Sequence, residues 1–364
     1  MNHTQNETKL PESKLNTIPI CTGTGLLALD IILNGSPQTP SKFQAGGSCG
    51  NVLTILSYLG WETFPIARLA DNNTSMKLLS DLERWKVNTD LIVKKKEGST
   101  PIIIHRISKD KDGKPKHKFE FKDPLTGVWL PHYKPVIAKD VEEIVKKHPI
   151  ANVFYFDRVN RAAIELAKIN KTNGALVVFE PSSISDIKLF RQALEVSHIL
   201  KFAYDRIKNY EKLFPIQQTK LEIITLGKYG LRYRFSKTKR AKNWILLDSY
   251  KLDDKVLLDS VGAGDWCTAG IIASLGKNGI ISFNSSKSSD VENALQYGQV
   301  LGAINCCFDG ARGIMYNIDK ETLDKTVLFL QNHNNDAFYK LFSSKLDSQL
   351  SYIPQEVISI SELY

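Results

Sequence analysis

The segment richest in chemistry is Asp259-Ser260-Val261-Gly262-Ala263-Gly264-Asp265, which runs directly into the helical period of Trp266 to Leu275. Gly262, Ala263 and Gly264 place no bulky side chain at the mouth of that helix, so its first amides stay bare. Unpaired N–H groups at the positive end of a helix dipole form an anion site. A carboxylate inside such a site opposes anion binding unless it handles a proton, and Asp265 therefore reads as a general base. Phosphoryl transfer to an alcohol needs both features. A carboxylate takes the hydroxyl proton while amides neutralise charge growing on the transferred group. On this segment alone a second reading stays open, in which the glycines only shape a tight turn and Asp265 caps the helix.

Other elements must hold that segment in place. Short β-branched runs alternate with longer stretches of helical period, the signature of parallel strands joined by crossover helices. Strands are predicted at Ile18–Cys21, Val153–Phe156, Ala175–Phe179 and Leu221–Leu226. Helices are predicted at Ser48–Leu59, Thr74–Trp85, Asp140–Lys147, Arg161–Thr172, Ala263–Leu275 and Asp290–Phe308, each with apolar residues three and four apart. Two stretches break the rhythm, Leu27 to Leu33 and Leu91 to Phe121. In the second, Pro101–Ile107 and Lys116–Lys122 read as hairpin strands around Lys109 to Gly113. Such a small sheet, standing off the main body, suits a lid as well as it suits surface decoration.

At 364 residues the chain has room for one large α/β domain or two smaller ones, and 42% apolar with 24% charged residues excludes a disordered polymer. The net charge of +9 favours anionic partners such as nucleotides or phosphorylated metabolites. Aromatics are not interleaved with the Lys-rich hairpin in a stacking pattern, so nucleic acid is not the expected partner. Five cysteines without CxxC or Cys/His spacing argue against a disulfide framework and against a zinc site, and fit reduced thiols in the cytoplasm. Met1 to Thr17 is polar, and no run approaches eighteen apolar residues, so neither secretion nor membrane spanning is expected. Gly23-Thr24-Gly25-Leu26-Leu27-Ala28 fits a dinucleotide pattern, but no acidic residue follows Asp30 until Glu62, and what comes next reads as strand rather than helix.

The sequence resembles the ribokinase-like, or PfkB, family of carbohydrate and nucleoside kinases, whose C-terminal signature has the form Asp-Thr-x-Gly-Ala-Gly-Asp; Ser260 stands here where Thr is usual. Gly46-Gly47-Ser48-Cys49-Gly50-Asn51 resembles the family's sugar-binding Gly-Gly-x-x-x-Asn turn, and Asp30 its early sugar-binding aspartate. Glycines let backbone approach a polyol, while an amide and a carboxylate suit adjacent hydroxyls. Ile224-Thr225-Leu226-Gly227-Lys228-Tyr229-Gly230 resembles the strand and loop under the nucleotide, although an ordinary hairpin turn would read the same way. Gly310-Ala311-Arg312-Gly313 sits where the family closes its adenine pocket. Glu180 follows a predicted parallel strand at the edge where open α/β sheets put ligands. By resemblance it stands close to a metal and the phosphates, and Lys201 matches a lysine that reaches the terminal phosphate. The sequence departs from the family after Lys201. Relatives continue Pro-Asn-x-x-Glu, which organises magnesium, whereas this chain reads Phe202-Ala203-Tyr204-Asp205-Arg206.

The resemblance implies a three-layer α/β/α fold with a mostly parallel central sheet. One kinase domain would span residues 18–346, between a polar tail at 1–17 and a C-terminal tail at 347–364, with a β lid from about 27–39 and 91–121. It further implies ATP-dependent phosphorylation of a sugar or sugar-like hydroxyl, with ATP and Mg2+ as cofactors and a homodimer through the lid. Asp265 would be the base, with Gly262, Ala263 and Gly264 as anion hole. Asp30, Gly46, Gly47 and Asn51 would bind substrate. Lys201, Thr225, Gly227, Gly230, Asp259, Gly310 and Ala311 would bind nucleotide. Glu180, with Asp205 as a further substitute, would take over the missing magnesium motif. A nucleoside kinase of the same fold, or a catalytically weak sugar- or nucleotide-binding protein, are the alternatives.

Overall fold

Val153 to Phe156 and Leu176 to Phe179 are apolar and buried at every position, as strands are when helices cover both faces of a sheet. The computed structural model describes residues 18–34, 42–109, 115–124, 126–238, 243–332, 336 and 338–340. Its strands are β1 (Ile20–Thr24), β2 (Ala28–Asn34), β3 (Lys42–Gly46), β4 (Glu62–Leu69), β5 (Ile92–Lys94), β6 (Ile102–Lys109), β7 (Pro115–Glu120), β8 (Val153–Phe156), β9 (Leu176–Phe179), β10 (Ile199–Ala203), β11 (Leu221–Thr225), β12 (Leu231–Phe235) and β13 (Ile245–Leu247). Its helices are α1 (Ser48–Tyr58), α2 (Asn73–Arg84), α3 (Ala138–Lys147), α4 (Arg161–Thr172), α5 (Ile187–Val196), α6 (Tyr210–Leu213), α7 (Ala263–Leu275), α8 (Gly279–Ser285), α9 (Ser288–Asn305), α10 (Gly313–Asn317) and α11 (Lys320–Gln331).

The large sheet runs β13-β12-β11-β10-β9-β8-β1-β4-β5. Pairing is parallel except at β12 and β13. Alternation along the strands divides the core in two. Val153, Tyr155, Trp266 and Ile271 belong to the cluster on one face, and Phe154, Phe156, Ala163 and Phe190 to the cluster on the other. This is the expected α/β/α sandwich. The strand order turns back between β1 and β8, and the crevice beyond their carboxyl ends is where a parallel sheet leaves room for a ligand.

A second, four-stranded sheet runs β3-β2-β6-β7. It does not stand off the body as its sequence suggests. Leu29, Ile31 and Ile104 are buried in the main core together with Leu78 and Leu82 of α2. With a period of two, Asp30 and Ile32 face the other way. Asp30 pairs with Ile103, and Ile32 with His105, so Asp30 and His105 share that face. The lid boundaries also differ from expectation. Ile92–Lys94 pairs with β4 at the edge of the large sheet, and Lys42–Gly46 adds an edge strand to the small one. Residues 35–39 of the expected lid, 110–113 of its turn and both tails lie outside the described residues. Among the described residues no helix is long and apolar enough to cross a membrane, and all five cysteines are free.

Candidate active site

Gly262 caps α7 in the left-handed conformation, with φ of 79°. A side chain there would be doubly unfavourable, because a Cβ would lie 2.0 Å from the Ala311 carbonyl oxygen. Asp259 fixes the same junction: its Oδ1 accepts from the Val261 amide at 2.8 Å and its Oδ2 from the Gly310 amide at 2.9 Å. Asn305 Nδ2 donates to the Val261 carbonyl at 2.9 Å, and Trp266 Nε1 to that of Ala311 at 3.2 Å. Two turns distant in sequence are thereby joined around the mouth of one helix. The Ala263 amide is turned back to the Ser260 carbonyl at 3.3 Å, while the Gly262, Gly264 and Asp265 amides make no backbone bond among the described residues. Nothing lies within 4 Å of where a Gly264 Cβ would be, which leaves open space beside the Gly264 Cα.

Asp265 sits half-buried in the first turn of α7, and its Oδ2 accepts from Asn51 Nδ2 at 2.8 Å. Burial, reinforced by the charge of Glu180, pushes its carboxyl up to about 8, against the opposing pull of the Asn51 bond and of Lys201. A base works best when its pKa lies near the working pH, and this carboxyl is placed there.

Beneath it lies a buried ion pair. Lys201 Nζ donates to Glu180 Oε1 at 2.5 Å and to the Gly264 carbonyl at 3.1 Å. Glu180 Oε2 accepts from Tyr155 Oη at 3.1 Å and from Thr268 Oγ1 at 2.7 Å. Glu180 is thus engaged within the protein, by one donor at Oε1 and two at Oε2. Asp205, the other expected substitute, is exposed, and among the described residues no group of three or more His, Cys, Asp and Glu could hold a metal ion.

On the opposite side, Asp30 lies against the Cα of Gly46, where a Cβ would come within 1.9 Å of Oδ2. Gly46 thus makes room for Asp30, and its neighbour Gly47, with φ of 78°, begins α1 and so places Asn51. Asp30 and Asn51 are 5% exposed, and Oδ1 of each is buried without a hydrogen-bond donor. Asp157, just beyond β8, accepts from the Leu26 amide at 2.9 Å and from Arg158 at 3.0 Å, bridging the crevice between β1 and β8.

The expected nucleotide residues separate into two groups. Asp259, Gly310, Ala311 and Lys201 converge on α7. Thr225 ends β11, beside Ala203 at the end of β10, and the turn from Gly227 (φ 58°) to Gly230 (φ 91°) closes the antiparallel hairpin of β11 and β12. Both the hairpin reading and a place at the ligand edge of the sheet hold for that turn.

Residues 33–316 match the pfkB family of carbohydrate kinases. The chain belongs to that family. Within the pfkB family, the chain is 23% identical over 291 residues to a probable fructokinase-5 of Arabidopsis thaliana, covering 73% of this chain and 83% of that one. Its fold is similar to that of a Xylella fastidiosa fructokinase solved with bound ATP, with a TM-score of 0.62, 16% identity, and 80% and 93% of the two chains covered. It is also similar to a nucleoside kinase of Methanocaldococcus jannaschii described as a member of the ribokinase family, with a TM-score of 0.60, 16% identity, and 87% and 99% covered.

In this pfkB-family chain four participants escape sequence reasoning: His105, 3.2 Å from Asp30, together with Asp157, Thr268 and Asn305. Asp157 carries the same signal as Glu180, a carboxylate directly after a fully apolar strand. The others show themselves only through contacts made across the fold.

Proposed function

We propose that this protein transfers the γ-phosphoryl group of ATP, taken as its magnesium complex, to a hydroxyl of a sugar or nucleoside. The observation that carries this reading is Asp265. It is a carboxyl raised to about 8, set beside bare amides at the mouth of α7 and bonded to Asn51, whose Oδ1 is buried without a donor. Asp30 Oδ1 and Asn51 Oδ1 are acceptors, so a ligand that meets them donates, and a polyol presents hydroxyls for that purpose.

In the reaction Asp265 removes the proton of the acceptor hydroxyl. The oxygen forms its bond to the γ-phosphorus as the bond to the β–γ bridging oxygen breaks, and ADP leaves. The Gly264 and Asp265 amides face charge on the transferred group, where fixed dipoles in a sheltered site stabilise it most. Lys201 holds the Gly264 carbonyl, and with it the first turn. No step is assigned to a metal held by the protein. The sheet that carries Asp30 covers the acceptor and limits access of water, which competes for the phosphoryl group. Its open edge at β7, beside the exposed Phe119, Phe121 and Trp129, is the surface through which a homodimer would form.

The test is ADP release from Mg-ATP across a panel of ketoses, aldoses and nucleosides, with the product identified by mass. An acceptor-dependent signal and a product heavier by one phosphoryl group support the reading. Binding without turnover throughout the panel supports a sugar- or nucleotide-binding protein instead.

A further inference from the structure

Asp30 and His105 sit on neighbouring strands of the small sheet, on the face turned away from the main core. Both are nearly inaccessible, at 5% and 6% exposed, and His105 Nε2 lies 3.2 Å from Asp30 Oδ2. Phe119, which pairs with His105 across β6 and β7, meets the imidazole edge-on, with ring centroids 4.8 Å apart and planes at 82°. Burial alone would favour the neutral ring, but the Asp30 carboxylate more than offsets that and raises its pKa. One carboxylate oxygen therefore faces the imidazole at ion-pair distance, without an aligned hydrogen bond from Nε2, while the other, Oδ1, is buried with no partner. A buried acceptor left bare is costly, and in a pocket that faces a ligand a donor arriving with that ligand offsets the cost.

We propose that His105 is a positioning residue for the acceptor. By holding Asp30 Oδ2, it fixes the carboxylate so that Oδ1 meets one hydroxyl of the polyol, and it thereby sets selectivity for that hydroxyl. The inference rests on the phosphoryl-transfer reading for the identity of the ligand, and on the small sheet alone for its geometry. Since β7 braces the ring and β6 carries it, the hairpin of the lid takes part in acceptor recognition through this one contact.

The experiment compares wild type with His105→Ala, His105→Gln and Phe119→Ala, using the acceptor that wild type turns over best and its analogue lacking one hydroxyl. A charge-assisted contact of this kind, once aligned by the bound acceptor, corresponds to roughly a 10- to 100-fold change in binding. His105→Ala is therefore expected to raise acceptor KM by about that factor, with kcat and the KM for ATP changed less than about threefold. The preference for the full acceptor over the deoxy analogue should fall in step. His105→Gln, which keeps a donor, should recover most of the loss, and Phe119→Ala should show a weaker version of the same KM effect. An unchanged acceptor KM overturns the inference, as does a loss confined to kcat or a glutamine variant no better than alanine. If wild type binds a sugar calorimetrically but releases no ADP, the phosphoryl-transfer reading fails while this test proceeds with Kd in place of KM. If wild type binds no sugar or nucleoside at all, both fail.

Discussion

Replacing Lys201 by methionine separates the two jobs assigned to the buried pair. The side chains are 3% exposed at Lys201 and 14% at Glu180, so removing the ammonium leaves a carboxylate inside the protein without a counter-charge. Breaking a buried pair from one side costs about 3–5 kcal/mol. Tyr155 and Thr268 still donate to Glu180 Oε2, which places the expected cost near the lower end, about 3 kcal/mol. In a fold stabilised by about 5–15 kcal/mol this is a large fraction, easily read from the urea midpoint at constant m. Glu180→Gln combined with Lys201→Met replaces the ion pair by a neutral amide that can meet Tyr155, Thr268 and the Gly264 carbonyl, and should regain most of the loss. The same substitutions act on Asp265 with opposite signs. Lys201 lowers its pKa and Glu180 raises it, so Lys201→Met should move the acid limb of kcat/KM to higher pH and Glu180→Gln to lower pH. A destabilisation below about 1 kcal/mol, the range of exposed pairs, would refute the assignment of a buried charge pair. Limbs that shift in the same direction would refute the electrostatic link to Asp265.

In wild type, kcat/KM for the acceptor should climb with pH up to an apparent pKa of about 8 and then level, because Asp265 must lose its proton before it can accept another; a profile flat from pH 6 to 9 contradicts this. Gly262→Ala must tolerate a positive φ and a Cβ 2.0 Å from the Ala311 oxygen, so it should lose at least about 3 kcal/mol of stability and nearly all activity. Gly264→Ala, with nothing within 4 Å, should keep its stability in urea to within about 0.5 kcal/mol. Sedimentation velocity should find a dimer that Phe121→Ser with Trp129→Ser converts to monomer, those side chains being 52% and 70% exposed in the single chain.

How far the sequence could be read depended on whether a feature was local. α4 and α7 match their predicted spans at Arg161–Thr172 and Ala263–Leu275, because start, apolar residues and stop all lie within one short segment. β4 went unread because Pro65 interrupts a strand pattern, although in the sheet it pairs with Gly23 of β1. The partnership of Asp30 with His105 depends on β2 pairing with β6 across some seventy residues, and no periodicity records that register. Asp157 acquires its meaning from the reversal of strand order between β1 and β8, a property of the sheet rather than of any segment. Glu180 lies at the expected edge of the sheet, but its partners could not be read from sequence. Tyr155 and Thr268, which occupy one of its oxygens, come from a different strand and a helix almost ninety residues on. The glycines at 46 and 262 were legible as glycines with a purpose, but the purpose, room for a carboxylate and for a neighbouring turn, belongs to the packing.

The central claim is that Asp265 takes the proton from the acceptor. Asp265→Asn keeps the shape of the side chain and a partner for Asn51 while removing the base, so ADP release with the best acceptor, measured alongside calorimetric binding of that acceptor and of ATP, isolates proton transfer. Turnover should fall by about 10²- to 10⁴-fold, the usual contribution of general-base catalysis, with both affinities changed by less than about threefold. Undiminished turnover in Asp265→Asn contradicts the account.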